Sequence, residues 1–154
     1  MAFDILRLFA TRGNTMLEMY KIAERENIDI EWQDFIPPVR GIYWAPTGIP
    51  PVIWLDKSLE HNHRLLRCVM AEELGHHFTT AGNCLCRTYF NYRDRLNVSR
   101  AEYRALRWAA EYLIPKRRLQ KALRAGNDTL WGLAELFDVT EEMMKFRLGL
   151  MKCT

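Results

Sequence analysis

The stretch from Arg67 to Phe78 constrains this chain more than any other. Leu65, Val69 and Leu74 recur at helical spacing, which predicts a helix with one side turned into the protein. That inward side is interrupted by acidic and imidazole groups. Glu72 and His76 stand four residues apart, so they lie one above the other on a single face. Glu73 is rotated from Glu72 by about a third of a turn, since a helix advances about 3.6 residues per turn. Gly75 within the same helix costs roughly 1 kcal/mol relative to alanine, and its presence suggests a close backbone approach.

This layout is that of the H-E-x-x-H zinc helix: two ligands at i and i+4, with a general-base glutamate beside the first. The first ligand position holds Glu72 in place of histidine. A hydrolytic metal site needs about three protein ligands, an open position for water and a base. His76 and Glu72 supply two candidate ligands, Glu102 on the next helix a third, and Glu73 the candidate base. Without a cation, three carboxylates gathered there repel one another and at least one pKa rises. Plainer readings stand beside this one. Paired glutamates are common on solvated helix faces, and His76-His77 fits a surface or helix-end pair. Ser99-x-x-Glu102 is also a capping-box pattern. Against that, Glu102 is in phase with the apolar stripe of Ala105, Leu106, Ala109 and Leu113. Spacing alone leaves both readings open.

With 154 residues, 49% hydrophobic and 27% charged, the chain is globular and of one-domain size. The pattern predicts an α+β protein. Residues 1 to 27 read as helical, with Thr15 and Glu18 as a capping box ahead of Met16, Met19, Tyr20 and Ala23. Ile28, Ile30 and Trp32 alternate with polar residues as in a half-buried strand. Val39 to Trp44 and Val52 to Leu55 predict an antiparallel hairpin around the Gly48 turn, near a sheet edge because prolines flank both strands. The central helix follows Asp56-Lys57-Ser58 and ends near Phe78. Residues 79 to 97 read as irregular. Ser99 opens a helix that stops at Pro115, with Glu111 on its outer side, and three shorter helices near 116–125, 129–137 and 141–152 complete the chain. The expected division is residues 1–115 as the chemical domain and 116–154 as a small helical subdomain.

The net charge of +3 gives no general case for a nucleic-acid partner. Met1 to Arg7 carries charges inside its apolar run, unlike a secretory signal, and no window suits a membrane span. Four cysteines point to reduced thiols in a cytoplasmic protein, and Cys84-x-Cys86 lacks the spacing of structural zinc. Ile42-Tyr43-Trp44 reads as core, and the basic residues from Lys116 to Arg124 as a solvated face. Leu133 to Met144 resembles a helix-turn-helix. The residues that would enter a DNA groove are Glu141 and Glu142, so phosphate repulsion favours a structural or protein-contacting role.

Three segments together resemble the ImmA/IrrE family of metallopeptidases from phages and mobile elements: Gly41–Trp44, Val69–Thr79 and Glu102–Pro115. The resemblance implies a compact zincin-like fold with a small antiparallel sheet, a central metal-site helix and a helix-turn-helix-like C-terminal part. It implies an endopeptidase that cleaves a helix-turn-helix repressor; the hydropathy and the acidic tail lead us to expect a cytoplasmic protein with no membrane partner and argue against direct nucleic-acid binding. The family's second ligand falls on His76, its base on Glu73, its acidic ligand on Glu102, and its first ligand position on Glu72. Two carboxylates and one imidazole neutralise a dication, so they acidify water less than a His-His-Glu set and relax the preference for zinc over manganese or iron. The substrate would lie along the strand near Gly41 to Trp44. Two other readings stay open: a catalytically impaired relative that binds a regulator, and a DNA-binding regulator using the tail.

Overall fold

A computed structural model describes residues 15–82, 84–89 and 99–152. The helix expected before Thr15 lies outside the described residues. The elements, in order, are α1 (Met16–Arg25), β1 (Asp29–Gln33), β2 (Val39–Ala45), β3 (Val52–Asp56), a 3-10 helix (Lys57–His61), α2 (His63–Thr79) and β4 (Cys84–Tyr89). Then follow α3 (Arg100–Leu113), α4 (Lys116–Arg124), α5 (Leu130–Phe137) and α6 (Glu141–Lys152). The protein is α+β, with a four-stranded sheet beside a helical body.

Local chemistry accounts for most boundaries. The Thr15 side chain accepts from the Glu18 amide, and the Glu18 carboxylate reaches back to Thr15, a full capping box. Asp56 caps the 3-10 helix, and Asn62 then caps α2 by accepting from the Leu65 amide. Ser99 caps α3, which ends before Pro115. Gly48, at φ 79°, takes the left-handed backbone that turns β2 into β3.

The sheet order is β1-β3-β2-β4. β2 and β3 form the expected hairpin, but β1 runs parallel to β3, so the sheet is mixed instead of antiparallel. β4 was not anticipated within the stretch read as irregular. Its buried Cys84, Cys86 and Thr88 alternate with exposed Leu85 and Arg87, a strand period written in weakly apolar residues. Because β4 pairs with β2, the strand from Gly41 to Trp44 is interior and cannot accept a peptide along its edge. The expected placement of substrate along that strand therefore does not hold; among the described strands β1 and β4 are the outer ones.

α2 is buried nearly all round from Arg67 to His76, so it is the axis of the core, not a surface helix. It lies between the sheet and α3. The carbonyl of Ala105 on α3 comes so close to Gly75 that a Cβ there would overlap it. The C-terminal helices grip the other end of α2. Arg67 Nε donates to the Asp138 carbonyl at 3.0 Å, and Arg64 meets Glu135 at 2.7 Å. Asp138, at φ 53°, forms the turn between α5 and α6, with Val139 buried and Thr140 capping through the Met143 amide. Glu141 and Glu142 remain exposed at the start of α6. Among the basic residues of α4, Lys116, Arg117, Lys121 and Arg124 face solvent, while Arg118 lies over the Phe137 ring. No described helix is long and apolar enough to cross a membrane.

Candidate metal centre

α2 carries Glu72, Glu73 and His76 to the middle of the molecule, each fully buried. This removes the solvated-face reading for all three, since a buried charge without partners costs several kcal/mol. Glu102 sits in the first turn of α3. The Ser99 hydroxyl caps its amide, while its carboxylate turns toward α2 and brings Oε2 to 3.3 Å from His76 Nε2. Two ligands about 2 Å from a tetrahedral cation lie roughly 3.3 Å apart, so this pair has the separation of metal donors.

A further donor comes from the sheet. His76, Cys86 and Glu102 each offer a ligand atom, and these atoms lie within 4.8 Å of one another. Glu72 is buried one turn up the helix and its charge is felt by both His76 and Glu73, but it falls outside that group. Cys86 arrives from β4, paired opposite Tyr43. Its sulfur is joined to that of Cys84 as a disulfide, which replaces the reduced-thiol expectation for these two residues; Cys68 is free and buried.

Burial dominates the electrostatics of the centre, and the neighbouring carboxylates add to it. Burial, aided by Glu72 and Glu102, raises the Glu73 pKa from 4.5 to about 8, although His76 and the nearby Thr88 hydroxyl pull it down. Burial also presses on His76, lowering its pKa, but Glu102, Glu73 and Glu72 together prevail and hold the imidazole above its ordinary value. Among the described residues, neither oxygen of Glu73 and neither ring nitrogen of His76 has a well-formed hydrogen bond. Each such buried group costs about 1–3 kcal/mol if nothing else satisfies it. A cation between His76 and Glu102 supplies what is missing, so the residues present fit a divalent metal.

The walls of the centre are equally specific. A Cβ on Gly41 of β2 would overlap the Glu73 carboxylate, so only glycine leaves that group its room. Tyr43 stacks against His76 with ring centroids 6.5 Å apart, and its hydroxyl is 3.0 Å from Nδ1 of His77. His77 in turn approaches Glu26 on the segment after α1 at 3.4 Å. The two histidines therefore differ in kind: His76 faces the centre, and His77 braces Tyr43 at its rim. Sequence reading sets Cys86 aside because its spacing from Cys84 is not that of structural zinc, and it misses Gly41 and Tyr43 as parts of this centre. The alternation of Cys84, Cys86 and Thr88 was the available signal for Cys86.

A mixed sheet flanks a buried helix, and a histidine and a glutamate from adjacent helices stand at metal-donor separation, which makes this an α+β protein with a candidate metal centre. Residues 23–149 match the family model of the M78 peptidases, the IrrE N-terminal-like domain, and the chain belongs to that family. The family is one of metallopeptidases, and it implies a divalent metal. Comparison with curated proteins gives no match.

Proposed function

We propose that the chain is a metal-dependent endopeptidase of the cytoplasm whose substrate is a helix-turn-helix repressor of a phage or mobile element. The observation that carries this reading is the 3.3 Å approach of His76 and Glu102 beside the buried, unsatisfied carboxylate of Glu73. His76 and Glu102 hold the cation, zinc or alternatively manganese or iron, with Glu72 as the third protein ligand on the same helix. When bound, the metal supplies Lewis acidity that polarises a peptide carbonyl and acidifies water. Residues 1–115 carry this chemistry, and residues 116–154 brace the start of α2.

Glu73 is the general base. Its carboxylate takes a proton from the attacking water and passes it to the leaving amine, a transfer that works best when the base titrates near the working pH. Gly41 leaves the space in which that carboxylate turns, and Tyr43 keeps His76 from tilting out of line. The substrate lies extended along β4, which pairs only with β2 among the described strands. A peptide added there forms main-chain hydrogen bonds, with Leu85 and Arg87 on the outward face.

A second reading, a relative that binds its regulator without cutting it, is favoured by the number of carboxylates near His76, which leaves the centre less positive. Incubation of purified protein with the repressor encoded beside it separates the two. Cleavage by the native chain, lost in Glu73→Gln with metal content retained, supports the peptidase. A Glu73→Gln variant that still cuts removes the proposed base, and an intact repressor held in a stable complex supports the second reading.

A further inference from the structure

We infer that Cys86 is a metal ligand in its reduced state, and that the Cys84–Cys86 disulfide withdraws it, making metal binding at this centre sensitive to redox conditions. The inference rests on the proposed metal site, and adds a donor to it from β4. Three observations carry it. The Cys86 sulfur lies with His76 and Glu102 in one group of ligand atoms spanning no more than 4.8 Å. His76 is fully buried, and among the described residues neither ring nitrogen has a well-formed hydrogen bond, Nε2 having only the 3.3 Å approach of Glu102. Cys84 and Cys86 point to the same buried side of β4, two residues apart, and are joined to each other.

The chemistry separates two states. A thiolate is a strong, soft donor that suits zinc or cobalt, and beside an imidazole and a carboxylate it completes a three-residue set. A sulfur already bonded to another sulfur has no such charge to give. Going from the dithiol to the disulfide forms one S–S bond, releases two protons and passes two electrons to a small-molecule disulfide, which becomes two thiols. In the reduced state the metal shields Cys86 from that reaction. In the oxidised state His76, Glu102 and Glu72 remain. The pair is buried on an outer strand of the described sheet, so a small disulfide exchanges with it when β4 opens locally at that edge.

The test uses the full chain, stripped of metal, reduced with a phosphine under nitrogen or oxidised with glutathione disulfide, and titrated with Co(II). Reduced native protein and reduced Cys84→Ser are expected to show a near-ultraviolet thiolate-to-cobalt charge-transfer band. Oxidised native protein and Cys86→Ser should lack it and bind cobalt at least about tenfold more weakly, with unchanged far-ultraviolet circular dichroism to show that they are folded. A band that persists in Cys86→Ser, one that is absent from reduced Cys84→Ser, or equal affinity in both redox states would overturn the ligand role while leaving the His76–Glu102 site intact. If no form binds cobalt, this inference and the peptidase reading fall together.

Discussion

Replacing Gly75 by alanine tests whether the approach of α2 to α3 positions the centre. On helix propensity alone the change should stabilise the protein by about 1 kcal/mol. The structure predicts the opposite. The new Cβ would overlap the Ala105 carbonyl oxygen and stand 3.0 Å from both the carbonyl carbon and Cα of Ala105. These are backbone atoms in the middle of α3, so no side chain can swing aside, and the helices must part by several tenths of an ångström. Overpacking of this kind costs about 1–3 kcal/mol, which leaves a net loss of about 1 kcal/mol after the propensity gain. For a chain of this size that is a fall in Tm of roughly 2–4 °C. The consequence reaches the site as well: His76 follows Gly75 directly, and Glu102 lies one turn before Ala105, so parting the helices lengthens their 3.3 Å separation. Thermal unfolding and cobalt affinity should therefore decline together. A Gly75→Ala protein that melts higher than the native one, or binds metal as tightly, would refute this account of the helix pair.

In metal-free protein, Glu73→Gln should change how stability depends on pH. Because the Glu73 pKa is raised from 4.5 to about 8, its contribution is full below the unfolded value and is lost as pH rises through about 8, a total of about 5 kcal/mol at roughly 1.36 kcal/mol per unit. Glutamine cannot ionise, so urea unfolding of the variant should show a shallower decline over that window; His76 keeps a slope of the same sign in both proteins, and identical slopes would contradict the burial of Glu73. Asp56 accepts from the amides of Phe35 and Ser58 and from Arg40 at 2.9, 3.0 and 3.2 Å. Burial pushes its pKa up, but these bonds and Arg40 prevail and hold it below the ordinary value, so its contribution is lost as pH falls through that lowered value. Asp56→Ala should cost about 2–4 kcal/mol in urea unfolding, and a loss under about 0.5 kcal/mol would show that the neighbouring donors are satisfied without it.

What the sequence made legible was decided within a few residues. The Thr15–Glu18 box, the Ser99 cap, the stop at Pro115 and the Gly48 turn are local bargains between a side chain and nearby backbone, and all formed where their spacing placed them. The phase of Glu102 with the buried stripe of α3 argued against a mere capping residue, but spacing alone left both readings open. Gly75 was likewise readable as a point of close approach, though only the fold names Ala105 as the neighbour. The contents of the centre that come from the sheet were not legible. Cys86 and Gly41 reach it through the pairing of β4 with β2, a contact across more than forty positions; the alternation within β4 marks a strand but not which strand it joins. The prolines beside the hairpin suggested an edge, yet β2 is interior, covered by β4, whose Cys-Leu-Cys-Arg-Thr-Tyr sequence carries little of the branched apolar signature of a strand.

The central claim is that His76 and Glu102 share a divalent cation. Its most direct test is elemental analysis of protein purified without chelator, native and His76→Ala side by side, each shown to be folded. The account predicts stoichiometric metal in the native chain and its loss from His76→Ala. A native protein without metal after reduction and reloading, or a His76→Ala protein that retains it in full, would contradict the claim.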